Sequence, residues 1–155
     1  MGIGYDAHRF AAGRRMVLGG VEIDHSRGLA GHSDADVVAH AVIDAVLGAA
    51  GLDDIGTLFP DSDAAFADAD SLELLRLVMA RVGAAGWRVG NVDVVVVCEE
   101  PRLAAYRASM KAALAAALGT PPEAVGVKAT TTEGMGFEGR REGVAATAVC
   151  LLDRA

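Results

Sequence analysis

The hydrophobic and polar positions of the chain alternate between the spacing of strands and that of helices. Short apolar or β-branched runs predict strands, and apolar residues that recur every three or four positions predict helices. In chain order, the predicted elements are a strand at 1–5, a hairpin at 17–23, helices at 34–50 and 71–85, a strand at 92–98, a helix at 101–118, and strands at 125–128 and 144–152. This order predicts an α+β fold in which a mixed β-sheet carries its helices on one face, as in a ferredoxin-like sandwich.

Residues at the ends of these segments set the predicted boundaries. Gly19 and Gly20 stand between two β-like arms, which is typical of a hairpin turn. Ser33 or Asp34 can cap the first long helix, because their side-chain oxygens accept hydrogen bonds from its free N–H groups. Pro101 is expected to open the third helix, where its missing N–H is tolerated.

The length of 155 residues suits one domain, and no repeat or linker divides residues 1–155. Helices on one face of the sheet leave the other face to be covered by something else. A second copy of the chain is the natural candidate, so the pattern also favours an oligomer.

Charge and composition exclude several classes of protein. The formal net charge of −7 argues against nucleic-acid binding, which requires a basic face. The uncharged stretches are too short to span a membrane, and no basic region followed by an apolar run begins the chain. We therefore expect a cytoplasmic protein. Cys98 and Cys150 lie far apart in strand-like runs, so we expect reduced, buried core residues.

The first candidate site combines Asp6, His8 and His40. Asp6 and His8 are two positions apart on a strand and therefore point to the same side. If the strand packs on the helix that carries His40, the three side chains offer the ligands of a catalytic zinc site, with Asp36 or Asp44 holding the free ring nitrogen of His40. The alternative is a buried core histidine beside a strand-end carboxylate.

Two further segments allow both a binding and a plain structural interpretation. His32 and Ser33 precede a helix, where N–H groups attract anions, although helix capping alone explains Ser33. The acidic loop at 53–63 can bind Ca²⁺, hydrogen-bond sugar hydroxyls or simply face solvent, and its spacing is not that of an EF-hand.

The segment 128–141 contains three threonines, Glu133 and a glycine-rich stretch that ends in two arginines. Residues 134–139 match G-x-G-x-x-G, but a strand-like run follows and the chain is too short for the acidic residue of a dinucleotide fold. The hydroxyls and N–H groups can hold a phosphate while Glu133 binds a hard cation such as Mg²⁺. An ordinary threonine-rich strand end is the alternative.

Taken together and in this order, these segments resemble the 2-C-methyl-D-erythritol 2,4-cyclodiphosphate synthase family over nearly the whole chain. The motifs that carry the resemblance are GYDAH (4–8), GHSDADVVAH (31–40), DIGTLFPDSD (54–63), GNVD (90–93) and KATTTEGMGFEGR (128–140). The second and last motifs are long and specific. The resemblance implies a zinc ion on Asp6, His8 and His40, a Mg²⁺ or Mn²⁺ ion on Glu133, and a homotrimer with active sites between subunits.

The resemblance also implies how the substrate is held. The implied contacts are Asp6, His8, His32, Ser33, Asp54, Gly56, Asp61, Pro101, Arg102, Leu103, Thr130, Thr131, Thr132, Glu133, Phe137 and Arg140. His32 and Thr131 match the catalytic residues that steady the transition state. Arg102 stands where lysine is frequent, and a guanidinium presents its charge with a different geometry. Phe137 and Arg140 match residues of a central cavity for which isoprenoid phosphates are proposed ligands.

The implied reaction closes 4-diphosphocytidyl-2-C-methyl-D-erythritol 2-phosphate into the 2,4-cyclodiphosphate and releases CMP, in non-mevalonate isoprenoid biosynthesis. Metal ions offset the repulsion between a polyanionic substrate and an acidic protein. Two alternatives share some of the same features. One is a zinc-dependent nucleoside-diphosphate hydrolase, and the other is a non-catalytic trimer that binds isoprenoid phosphates.

Overall fold

A computed structural model describes residues 1–60 and 69–155 of the chain. Its strands are β1 (Gly2–Ala11), β2 (Met16–Leu18), β3 (Val21–Ile23), β4 (Gly28–Leu29), β5 (Trp87–Val97), β6 (Val125–Thr130) and β7 (Gly143–Arg154). Its helices are α1 (Val37–Ala50), α2 (Ile55–Leu58), α3 (Ser71–Ala84), α4 (Arg107–Leu118) and α5 (Gly136–Gly139), with a 3-10 turn at Pro122–Ala124.

The predicted mixed sheet with helices on one face is confirmed. The main sheet has the strand order β4-β1-β7-β5-β6, and β2 and β3 form a separate hairpin. Within the main sheet β5 and β6 are parallel, whereas β1 and β5 both run antiparallel to β7. Helix α1 packs across β1, β7 and β5, α4 packs on β6, and α3 packs against α1 and α4. The apolar core lies between the sheet and this helical layer.

The start of α1 differs from the sequence prediction. Neither Ser33 nor Asp34 is the cap: Asp36 is, and its carboxylate accepts the N–H groups of Val38 and Ala39. Ala35 has a φ of 58°, so the backbone leaves the helical region immediately before the cap.

The predicted start of the third helix at Pro101 is also wrong. The Glu100–Pro101 peptide bond is cis, and α4 begins at Arg107. Between them the chain makes a turn in which the Tyr106 N–H donates to the Leu103 carbonyl and Leu103 is buried. Pro101 therefore belongs to a loop that precedes α4, and the helix begins six residues later.

Strands β1 and β5 are longer than the apolar runs that predicted them, because both pair along most of β7. Asp6 and His8 consequently lie inside β1 instead of at its end. The side chains of β1 alternate, so the residues with odd numbers point away from the helices. On that open face the large apolar residues are Ile3, Tyr5, Val149 and Leu151, which are 69, 59, 40 and 46% exposed.

Both cysteines are free and buried, as predicted. Burial, joined by the charges of Glu99 and Glu100, raises the pKa of Cys98 to about 11. Burial likewise raises the pKa of Cys150 to about 11. No helix among the described residues combines the length and the apolar content needed to cross a membrane.

Candidate active site

Asp6, His8 and His40 converge on one point of the surface, as their spacing predicts. Asp6 Oδ2 lies 2.9 Å from His8 Nε2 and 3.0 Å from His40 Nδ1, and the two ring nitrogens are 3.2 Å apart. The ligand atoms lie within 4.8 Å of one another, which makes these residues a candidate metal site. One carboxylate and two imidazoles match the donor set of a catalytic site that keeps an open position.

Two glycines on β1 bring the three ligands together. A Cβ atom on Gly2 would lie 2.2 Å from the Ala45 carbonyl oxygen, and one on Gly4 would lie 2.0 Å from that of Ala41. The missing side chains therefore let β1 lie directly on the backbone of α1. Gly2 and Gly4 share the strand face of Asp6, so the same contact aims that carboxylate at the helix.

The negative charge of Asp6 suits a cation. Burial favours a higher pKa for Asp6, but hydrogen bonds from His40 and His8 outweigh it and hold that pKa well below its usual range. Burial opposes the charged form of His8, yet its hydrogen bond to Asp6 and the charge of that carboxylate leave the pKa of His8 raised. Asp6 is therefore ionised at neutral pH, the form in which a carboxylate binds a metal ion.

The outer partners of His40 differ from the sequence prediction. Neither Asp36 nor Asp44 holds the free nitrogen of His40, whose Nε2 lies 2.9 Å from Ser71 Oγ and 3.1 Å from Ser33 Oγ. The Asp36 carboxylate instead accepts the N–H groups of the hairpin glycines Gly19 and Gly20. Asp44 accepts the N–H of Ile55 at 2.9 Å. On the other histidine, Nδ1 of His8 lies 2.7 Å from the carbonyl oxygen of Ala30.

A cavity of about 250 Å³ opens beside this cluster. Its lining consists of Asp6, His8, Gly31, His32, Ser33, His40, Asp44, Ile55, Gly56, Phe59 and Leu74. Predicted residues from β1, the segment before α1 and the start of α2 are thus brought together. Asp54 caps α2 by accepting the Thr57 N–H at 2.8 Å and does not line this cavity. Asp61 lies outside the described residues.

A second cavity, of about 520 Å³, lies where β5 and β6 end. It is lined by Cys98, Glu99, Pro101, Arg102, Leu103, Ala104, Arg107, Ala129, Thr130, Thr131 and Arg141. The turn at 101–103 and the threonine segment, which are distant in sequence, meet here because β5 and β6 are parallel neighbours. The two cavities share no lining residue.

Glu99 is a residue beside the second cavity that the motifs did not single out. Its Oε1 accepts the N–H groups of Thr132 and Gly134, each at 3.2 Å, and so holds the loop that carries Thr131 and Glu133. In that loop Thr131 Oγ1 donates to Glu133 Oε1 at 3.3 Å, and Glu133 has a φ of 54°. The signal in the sequence is a carboxylate two residues after the end of the strand β5, and this position would have indicated Glu99.

Phe137 lines a third cavity, of about 670 Å³, together with three arginines: Arg9, Arg27 and Arg141. Arg140 is not among its lining residues, because Arg140 Nε donates to Glu142 Oε1 at 2.7 Å. Arg141 ends the glycine-rich stretch noted in the sequence, whereas the sequence did not indicate Arg9 or Arg27. The three arginines come together because β1 pairs with β7 on one side and with β4 on the other.

Comparison with known proteins gives consistent results. The model of the YgbB family matches residues 1–153. A 2-C-methyl-D-erythritol 2,4-cyclodiphosphate synthase of Rubrobacter xylanophilus is 59% identical over 158 aligned positions, which cover all of this chain and 95% of that protein. A synthase of Salinibacter ruber is 56% identical, and the alignment covers 100% of this chain and 99% of that protein.

Solved structures agree with these sequence relatives. The bifunctional IspDF of Campylobacter jejuni superposes with a TM-score of 0.96 at 42% identity, covering 99% of this chain and 42% of that one. A 2C-methyl-D-erythritol-2,4-cyclodiphosphate synthase in its CDP-bound form superposes with a TM-score of 0.90 at 36% identity, covering 98 and 99% of the two chains.

Proposed function

Because the chain belongs to the YgbB family, we propose that its site closes 4-diphosphocytidyl-2-C-methyl-D-erythritol 2-phosphate into the 2,4-cyclodiphosphate and releases CMP. Residues 1–155 act as one synthase domain of the non-mevalonate pathway. One observation carries the proposal: Asp6, His8 and His40 converge beside His32 and Ser33. This arrangement places a cation site next to side chains that can donate hydrogen bonds to a phosphate.

The donor sets fit two different divalent ions. Zinc suits Asp6, His8 and His40, because imidazole nitrogens are among its preferred ligands. The lone carboxylate of Glu133 suits Mg²⁺ or Mn²⁺, which bind oxygen and complete their shell with substrate phosphates. When bound, such ions neutralise phosphate charge and polarise the phosphorus–oxygen bonds.

The reaction needs positioning more than a protein nucleophile. An oxygen of the 2-phosphate attacks the β-phosphorus, the new P–O bond forms, and the bond to the CMP oxygen breaks. Attacker and target belong to one molecule, so the protein must hold them in line. His32 and Ser33, in the segment before α1, hold phosphate, and the Thr131 hydroxyl donates to the transferring phosphoryl group. Gly56 lines the metal cavity and is proposed to hold the methylerythritol portion, and the family resemblance adds Asp54 and Asp61 to this role.

The second cavity is the proposed cytidine pocket. Pro101, Arg102 and Leu103 form one wall, and Thr130 at the end of β6 and Thr131 after it line the other side, with Thr132 next in the chain. Arg102 offers a guanidinium to the nucleotide phosphate. The CDP-bound relative supports a cytidine nucleotide as the ligand of this fold.

We propose a homotrimer in which the metal cavity of one chain meets the cytidine cavity of its neighbour. Two observations support it: the cavities share no lining residue, and the open sheet face exposes a row of large apolar side chains. The cavity lined by Phe137, Arg9, Arg27 and Arg141 suits an isoprenoid phosphate. Sedimentation of the purified protein tests the assembly, and a monomer would contradict it. A cytoplasmic location stays a prediction of the sequence.

Phosphorus NMR tests the reaction directly. Enzyme, Zn²⁺, Mg²⁺ and the cytidine substrate should yield the two coupled resonances of a cyclic diphosphate together with CMP. A linear phosphorylated product would instead indicate the nucleoside-diphosphate hydrolase. Tight isoprenoid-phosphate binding without turnover would indicate the non-catalytic trimer.

A further inference from the structure

Ser71 lies outside every segment assigned to the site above, yet it contacts the candidate metal cluster. It is the first residue of α3 and is fully buried, and its Oγ lies 2.9 Å from His40 Nε2. Behind it, Asp34 Oδ1 accepts the Ser71 hydroxyl proton at 2.5 Å and Asp34 Oδ2 accepts the Ser71 N–H at 3.0 Å. Both oxygens of one carboxylate therefore hold this serine.

The direction of these hydrogen bonds follows from the geometry. His40 turns Nδ1 toward Asp6 and His8, so Nδ1 must be free of its proton to bind a cation there. The ring proton then sits on Nε2 and needs an acceptor. Ser71 gives its own proton to Asp34, which leaves the lone pairs of its oxygen facing His40.

A second hydroxyl competes for the same nitrogen. Ser33 Oγ lies 3.1 Å from His40 Nε2, but it also accepts the Ala35 N–H and lines the metal cavity. It has no carboxylate of its own to fix its proton among the contacts of the described residues. The Asp34-held Ser71 is therefore the better acceptor.

We propose that Ser71, fixed by Asp34, is a positioning residue that holds His40 in the Nε2–H tautomer with Nδ1 aimed at the metal. The inference rests on the proposed zinc site and extends it to α3. Outer partners of metal-binding histidines typically change metal affinity by about 10- to 100-fold. The Asp34–Ser71 pair makes α3 part of the metal centre although none of its residues binds the metal.

Measuring the zinc affinity of two serine variants, Ser71→Ala and Ser33→Ala, distinguishes a positioning role of Ser71 from a purely structural one. Ser71→Ala should weaken zinc binding about 10- to 100-fold in a chelator competition, whereas Ser33→Ala should change it by no more than about threefold. The increase in Tm that zinc causes should shrink in Ser71→Ala, because that increase follows metal affinity. A merely structural role would lower the Tm of the zinc-free and zinc-loaded forms equally, and that result would overturn the proposal.

Nitrogen-15 NMR of histidine-labelled wild-type protein tests the same point without a substitution. With zinc bound, His40 should show a protonated Nε2 whose proton exchanges slowly and a metal-bound Nδ1. Binding through Nε2 would overturn the proposal while leaving the zinc site intact. A wild-type protein that takes up no zinc would overturn both this inference and the proposed function.

Discussion

Gly4 and Ala41 touch backbone to backbone: a Cβ atom added to Gly4 would lie 2.0 Å from the Ala41 carbonyl oxygen. Gly4 precedes Asp6 by two positions on the same strand face, and Ala41 directly follows His40. This contact therefore sets the distance between the strand and the helix that supply the ligands.

We predict that Gly4→Ala pushes β1 away from α1. Overpacking of this kind costs about 1–3 kcal/mol, so the free energy of unfolding measured with urea should fall by that amount. Zinc affinity should fall in the same variant, because Asp6 moves with the strand. Gly48→Ala is the matched control: apart from its own helix backbone and chain neighbours, no atom of the described residues lies within 4 Å of the added Cβ, and the variant should be neutral or slightly stabilising. Wild-type zinc affinity in Gly4→Ala would contradict the prediction.

His40→Ala should remove zinc and reduce CMP release by at least about 10³-fold, about 4 kcal/mol in activation free energy. The physical reason is that Asp6 and His8 alone leave the cation with too few protein ligands. Metal analysis and a CMP-release assay measure the two effects. If turnover persisted in chelator-treated protein, the site would be wrongly assigned.

Glu133→Gln should leave the zinc content unchanged and weaken activation by Mg²⁺ or Mn²⁺. The amide keeps the size of the side chain but loses the charge that a hard cation prefers. Titrating activity against each ion in zinc-loaded protein measures the shift. Simultaneous loss of both metals would show that the two sites are not separate.

Much of the fold could be predicted because its signals are local. Period-two alternation in β1 placed Asp6 and His8 on one side, and helical spacing placed His40 on α1. The outer partners could not be predicted in this way. His40 meets Ser71 across 31 positions, a pairing that only the packing of α3 on α1 creates.

The boundary errors have a similar origin. Ser33, Asp34 and Asp36 all have side chains that can cap a helix, and the sequence does not rank them. Tertiary contacts do: Asp34 turns toward Ser71, while Asp36 also receives the hairpin N–H groups of Gly19 and Gly20. The hairpin before α1 and the helix α3 after it thus decide that Asp36 caps α1.

If neighbouring chains complete each site, two inactive variants should restore activity when they are mixed. His40→Ala lacks the metal half, and Thr131→Ala lacks the donor in the cytidine half. Random mixed trimers should regain roughly a quarter of the wild-type sites, because one chain then offers an intact metal half and its neighbour an intact cytidine half. The CMP-release assay on co-refolded chains measures this, with each variant refolded alone as the control. No recovery from trimers shown to be mixed would place both halves on one chain.

The two thiols should react slowly in the folded protein. With pKa values of about 11, about one thiol in a thousand is ionised at pH 8, and only the thiolate is nucleophilic. Labelling with a disulfide reagent should therefore be slow at pH 8 and fast for both residues in guanidinium. Cys150→Ala isolates the signal of Cys98, and equal rates for folded and unfolded protein would contradict the burial.

Strand β1 serves two surfaces at once. Its even-numbered residues, including Gly4, Asp6 and His8, face α1, whereas Ile3 and Tyr5 face the open side of the sheet. Because consecutive side chains point in opposite directions, a single inserted or deleted residue within this strand would exchange the two surfaces and disable both together. The strand therefore tolerates substitutions that keep each residue on its own face, whereas a change in length is tolerated only outside Gly2–Ala11.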